Sequence, residues 1–218
     1  CMEPEPAQDS PWVSFIEARH RPSNIVMSHI RHATLGTVCL ANTQPFAREA
    51  GGRMHVFAHN GRLADTTGLN DVARRFRPLG QTDSETAACA LFQAVGDMWQ
   101  SGFPSTSERI ALISAFAARL RPLGPANFLY SDGEILVAHG HRRTQAGGRI
   151  EPPGLWLLER TCPLPVDTLE NAGVHIEDDQ LEQSVVLFAS VPLTEEPWRA
   201  LDEGQIVAVA NGSIISSG

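Results

Sequence analysis

The 218-residue sequence predicts a layered α+β sandwich with mainly antiparallel sheets. Three observations predict it. Two helical periods lie in the middle of the chain, strand-like alternation occupies both flanks, and the turn dipeptides Asp132-Gly133 and Asn211-Gly212 separate alternating runs. No internal repeat, low-complexity tract or linker interrupts this order, which predicts one domain over residues 1–218.

From the start of the chain, Trp12 to His20 reads as a short helix, with Ser10 as cap and Pro11 at its first position. Asn24–Ile30 alternates as a strand, Leu35–Gln44 is a loop, and Pro45-Phe46 restarts an extended segment. Arg53–His59 alternates into a second strand that Asn60-Gly61 terminates. Asn-Gly is also the strongest hairpin dipeptide, so a type I′ turn competes with any chemical role there. Thr82 or Asp83 caps a helix running to about Trp99, with Ala87, Leu91, Val95 and Met98 at helical spacing. Ser107 to Leu120 repeats the period through Ile110 and Ile113. Both helices are expected to cover one sheet face. Phe128–Ser131 and Glu134–His139 form a hairpin about Asp132-Gly133. Gly154–Arg160 and Ser184–Ser190 add strands, and Gln205–Ala210 with Ser213–Ser216 makes a closing hairpin about Asn211-Gly212. Gln145–Arg149 and Glu177–Glu182 read as surface loops.

Chemistry-bearing residues gather at the ends of these elements. Arg31 follows the Asn24–Ile30 strand and precedes Thr34; Asn60-Gly61 ends the next strand; Asp83 stands at the mouth of a helix. An arginine clamps a carboxylate bidentately and an aspartate holds an ammonium group. A side-chain amide beside a glycine N–H makes a pair of oxyanion donors. One pocket holding all three suits an α-amino acid whose side-chain carbonyl is attacked, which points to glutamine or a γ-glutamyl compound. Each residue also has a plainer reading: an ion pair for Arg31, a turn for Asn60-Gly61, an N-cap for Asp83. His29, His32 and His59, and the pair His139 and His141, do not have the spacing of a convergent metal-ligand set. No metal is expected, and neither GxGxxG nor GxxxxGK[ST] occurs.

The motifs RHATLG, NTQPF, FAHNG and TDSE, in that order and spacing, resemble the glutaminase domain of class II glutamine amidotransferases, which are N-terminal nucleophile hydrolases. FRPLGQTDSE, NFLYSDG and VPLTEEPW are most similar to the small stand-alone, YafJ-like members. The similarity runs from Asn24 to Gly218. It implies a four-layer αββα sandwich and cleavage of a γ-amide through a cysteine thioester, with no organic cofactor. It also implies site roles: Arg31 on the substrate α-carboxylate, Asp83 on its α-amino group, Thr34 lining the site, and Asn60 with Gly61 as the oxyanion hole. His32 stands where many relatives carry Trp, and Gln44 where some carry His. The family nucleophile is an N-terminal Cys whose own amine is the general base. Cys1 meets that requirement chemically, yet the following Met2-Glu3-Pro4-Glu5-Pro6 cannot be the apolar strand that carries it, because proline removes ladder donors. The family's glycine-rich segment ending in Asp-Gly-Trp-Gly does not occur before Arg31. The sequence therefore predicts a domain lacking the family's first strands, with Cys1 either the nucleophile or the start of a partial chain. A catalytically inactive module that binds a glutamine-like amino acid is the alternative function.

Composition narrows the partners. Net charge is −8 with a pI near 5.4, which provides no basic field for nucleic acid or an acidic membrane. All 17 basic residues are Arg. The cysteines Cys1, Cys39, Cys89 and Cys162 form no CxxC pair, so a reducing cytoplasm is the expected compartment. No run of about 18 apolar residues occurs. The expected partners are a small-molecule substrate and, where an acceptor exists, a separate synthase or acceptor subunit.

Overall fold

The computed structural model describes Pro11, Phe15 and residues 23–30, 37–71, 74–163 and 182–218. Cys1, Arg31, His32 and Thr34 lie outside the described residues, as does the expected Trp12–His20 helix apart from Phe15.

Eleven strands, three α-helices and two short 3-10 helices (Leu40–Asn42 and Arg121–Leu123) lie among the described residues. The first two strands, β1 (Phe46–Ala50) and β2 (Arg53–Gly61), form a hairpin through Gly51 and Gly52, both at positive φ. A short α1 (Thr67–Asn70) precedes α2 (Asp83–Gln100) and α3 (Thr106–Leu120). The chain then returns to β3 (Ala126–Ser131), β4 (Leu136–His139), the two-residue pair β5 (Arg143–Thr144) and β6 (Ile150–Glu151), and β7 (Trp156–Pro163). It finishes with β8 (Glu182–Ala189), β9 (Arg199–Ala200), β10 (Ile206–Ala210) and β11 (Ser213–Ser217). One six-stranded antiparallel sheet runs β1-β2-β3-β4-β10-β11, and a second runs β8-β7-β9.

Strand alternation places two cores on the two faces of the large sheet. Phe57, Phe128, Tyr130, Val137, Ile206 and Ala208 point to the helices and join Ala87, Leu91, Phe92, Val95, Ile113 and Phe116. The intervening Leu129, Ala138, Val207 and Val209 point the other way and meet Leu155, Leu157, Val186 and Phe188 of the second sheet. Helix, sheet and sheet are thus stacked as three of the four layers of the αββα expectation, with mainly antiparallel sheets.

Helix α2 starts as its sequence dictates. Thr82 is the N-cap, its hydroxyl accepting the Glu85 N–H at 3.2 Å, and Ala87, Ala88, Cys89 and Ala90 are small enough to lie close to the sheet. Ser105 and Glu108 form a full capping box on α3. Residues 24–30 keep the predicted alternation, Ile25 and Met27 being half-buried and Val26 and Ile30 exposed, but they form no described ladder. Ile25 and Met27 line a cavity with Met54 and Val56 of β2.

Candidate active site

The candidate site is the corner where β2 ends and α2 begins. Phe46 pairs with Phe57, so the next position to pair along that edge is Gln44 opposite His59. Gln44 fills it with its side chain: Oε1 accepts the His59 N–H at 2.7 Å, and Nε2 donates to the His59 carbonyl at 3.1 Å. Backbone polar groups alternate sides along a strand, so the Gly61 N–H points to the same edge, one step past the reach of Gln44.

Asn60-Gly61 is not a hairpin turn. Strand β2 continues through both residues and pairs Asn60 with Asn127 and Gly61 with Ala126 of β3. The Asn127 amide donates to the Asn60 carbonyl at 3.0 Å and to the Arg142 carbonyl at 2.9 Å. Gly61 is required by a close approach. A Cβ there would stand 1.9 Å from the Pro125 carbonyl oxygen and 2.8 Å from the His59 ring.

His59 and Asn60 face opposite sides of the sheet. The His59 ring turns to the helices and is 1% exposed. Its Nε2 donates to the Pro125 carbonyl at 3.2 Å, which leaves Nδ1 to accept the Ser84 hydroxyl at 2.9 Å. Burial holds this imidazole neutral by lowering its pKa; the charge of nearby Asp83 opposes that shift and the charge of His29 adds to it. The Asn60 amide turns to the second sheet and donates to Ser190 Oγ at 2.7 Å.

Asp83 is the first residue of α2 and not its cap. Thr82 takes the capping role, and Asp83 Oδ2 accepts the Leu63 N–H at 2.7 Å, which fastens the helix start two residues past Gly61. Glu85, buried on the same turn, accepts the N–H groups of Leu79 (3.0 Å) and Gly80 (2.6 Å) and pairs with Arg48 at 3.0 Å. Asn42 Oδ1 accepts the Gln81 N–H at 2.8 Å. The segment leading into the helix is thereby fixed on both sides.

Among the predicted site residues, Asn60 and Gly61 end β2 and Asp83 is bonded to Leu63, two residues past Gly61; Arg31, Thr34 and Cys1 lie outside the described residues. The supporting Gln44, Ser84 and Asn127 lie within NTQPF, TDSE and NFLYSDG, but the sequence assigns none of them a part in holding the β2 end, and Ser190 lies in no motif. Among the described residues no group of three His, Cys, Asp or Glu side chains is placed to hold a metal. His139 Nδ1 donates to the Ala126 carbonyl, and His141 sits between the Ala126 N–H and Glu203. Burial pushes the Cys89 thiol up to about 11, so it is not an activated nucleophile. No described helix is long and apolar enough to cross a membrane.

Comparison with known proteins places the chain in a family. YafJ of Escherichia coli strain K12, provisionally named a glutamine amidotransferase, is 31% identical over 207 residues, which is 93% of this chain and 76% of that protein. A similarly named protein of Haemophilus influenzae is 31% identical over 210 residues, 95% of this chain and 67% of that one. A 2.0 Å crystal structure of a predicted glutamine amidotransferase from Pseudomonas aeruginosa superposes with a TM-score of 0.60 at 28% identity. That match covers 81% of this chain and 66% of the other, so the chain spans about two thirds of that structure's length. The family model for class-II glutamine amidotransferases matches residues 1–218, and the chain belongs to that family.

Proposed function

We propose that residues 1–218 are one amidotransferase domain that binds glutamine or a γ-glutamyl amide and cleaves its γ-amide through a cysteine thioester. The observation that carries this reading is the Asp83–Leu63 hydrogen bond, which sets a carboxylate beside the Asn60-Gly61 strand end. Asp83 Oδ2 is occupied by Leu63, and Oδ1 serves the substrate ammonium. Arg31 clamps the α-carboxylate and Thr34 lines the pocket. The Asn60 amide and the Gly61 N–H stabilise the oxyanion that forms when a thiolate attacks the γ-carbonyl. The thiolate is that of an N-terminal cysteine, with Cys1 as the candidate in this chain. Water or an acceptor, on a separate subunit where one exists, resolves the acyl-enzyme.

The test combines mass spectrometry, to establish a free N-terminal Cys, with an assay of glutamate released from glutamine. Glutamate release that Asp83→Asn slows through a raised KM supports the reading. Calorimetric binding of glutamine without release assigns the chain to the inactive binding module. Neither binding nor release, for glutamine and a γ-glutamyl amide alike, sinks both.

A further inference from the structure

We propose that Ser190 is a positioning residue that sets the Asn60 carboxamide and presents its second N–H to the ligand. The inference rests on the oxyanion role proposed for Asn60. A carboxamide can face a ligand with its oxygen or with its nitrogen, and only the nitrogen stabilises a negative oxygen. Asn60 is exposed at a strand end, where nothing on its own strand holds the side chain. Its Nδ2 carries two hydrogens. One is given to Ser190 Oγ at 2.7 Å, 130 positions away, so in this arrangement the nitrogen end lies on Ser190 and the other hydrogen is left to donate. The Asn60 backbone is held separately, through the Asn127 amide on its carbonyl.

Ser190 directly follows β8, whose last residue Ala189 pairs with Trp156 of β7, and further along the same connection residues 194–198 are closed by a chain of bonds. Arg160 grips both carboxylate oxygens of Glu196, Thr194 donates to Glu196 at 2.7 Å, and the Trp198 indole donates to Thr194 at 3.1 Å. The Trp198 N–H adds a bond to the Glu196 carbonyl at 2.8 Å. A hydroxyl one residue past a paired strand end acts as a stop, and a donor held in place before reaction stabilises developing charge without reorganising.

Two measurements test this independently. In a nitrogen-resolved NMR spectrum of the whole chain, Ser190→Ala should move the Asn60 side-chain amide pair and speed its exchange with water, while Ser190→Thr should leave both near wild type. In steady-state kinetics with glutamine, Ser190→Ala should lower kcat about tenfold with KM within about twofold, since the bond serves the oxyanion rather than ground-state binding. The same change in an Asn60→Ala background should add nothing. An Asn60 amide pair unmoved by Ser190→Ala overturns the proposal whether or not the protein turns over. A rise in kcat, which would make Ser190 a blocker, or an undiminished effect in Asn60→Ala, overturns it too. Wild-type protein without turnover removes the proposed reaction, and the NMR result then decides the Ser190 claim alone.

Discussion

Gln44 meets His59 as a strand residue would, but with its side chain in place of its backbone. Both bonds, 2.7 and 3.1 Å, end on buried backbone groups. Gln44→Ala removes both partners and leaves the His59 N–H and C=O unsatisfied. The expected cost is about 2–3 kcal/mol, read as a lower urea midpoint at unchanged slope. A slope that falls with the midpoint would mean that the β2 end had already come apart in the native state.

Gly61→Ala brings a methyl group against the Pro125 carbonyl, where 1.9 Å is available. The Pro125 backbone and the buried His59 ring crowd the position, so relief requires strand movement; the expected loss is about 1–3 kcal/mol, accompanied by altered Asn60 side-chain amide resonances. Gly68→Ala is the control, because a Cβ there meets nothing within 4 Å. Equal stability of the two variants would contradict the close approach.

Arg109 reaches from α3 to the turn after β3, donating to Asp132 at 2.9 Å and Glu134 at 3.0 Å. Arg109 and Asp132 are 3% and 2% exposed, so Arg109→Ala leaves a carboxylate uncompensated in the interior. Asp132 keeps its bonds from the Glu134 and Ile135 N–H groups, and these, with Arg109, now hold its pKa below the ordinary value despite burial. The expected destabilisation is about 3–5 kcal/mol by thermal or urea unfolding, reduced when Asp132→Asn is added. Additive single effects would show that the two side chains do not interact.

Stability should fall on mild acidification. Burial lowers His139 from 6.5 to about 4, with the charges of His141, Arg121 and His59 acting in the same direction. Its Nδ1 donates to the Ala126 carbonyl, and its buried Nε2 has no partner to accept a second proton's bond. A ring with a lowered folded pKa binds fewer protons folded than unfolded below 6.5. The stabilisation present above 6.5 is therefore lost progressively toward pH 4, about 3 kcal/mol for this ring. The lowered pKa values of His55, His59 and His141 deepen the slope. Urea midpoints taken from pH 7.5 to 4.5 check it, and His139→Gln should flatten the profile. A profile flat in wild type would refute the assignment.

Local signals carried much of the fold into the sequence. The period through Ala87, Leu91 and Val95 and the cap at Thr82 mark α2 within a residue of its observed start, because both are interactions inside one helix. Asn211-Gly212 forms the predicted turn, with φ of 48° and 73°, because its neighbours also alternate. The same dipeptide at Asn60-Gly61 stays in a strand, because its partner is β3 and not the next residues along the chain. Asn24–Ile30 has a strand's alternation without a described ladder, since alternation reports burial and not pairing. The cap-or-ligand ambiguity at Asp83 was insoluble from sequence. Only the structure gives Thr82 the cap and sends the Asp83 carboxylate to Leu63. Gln44 and Ser190 were invisible as partners of β2 for the same reason: their bonds span 15 and 130 residues.

The pairing of Asn60 with Asn127 has a consequence for how the molecule comes into being. Both long helices lie between those two residues, so the entire helical layer is the excursion that β2 and β3 must bridge before they meet. Bridging so long an excursion is slow compared with forming either helix. A chain emerging from the ribosome can own its helices and the β1–β2 hairpin while still having no Asn60 corner at all. The corner is acquired only after Ala126–Ser131 has been synthesised and has docked.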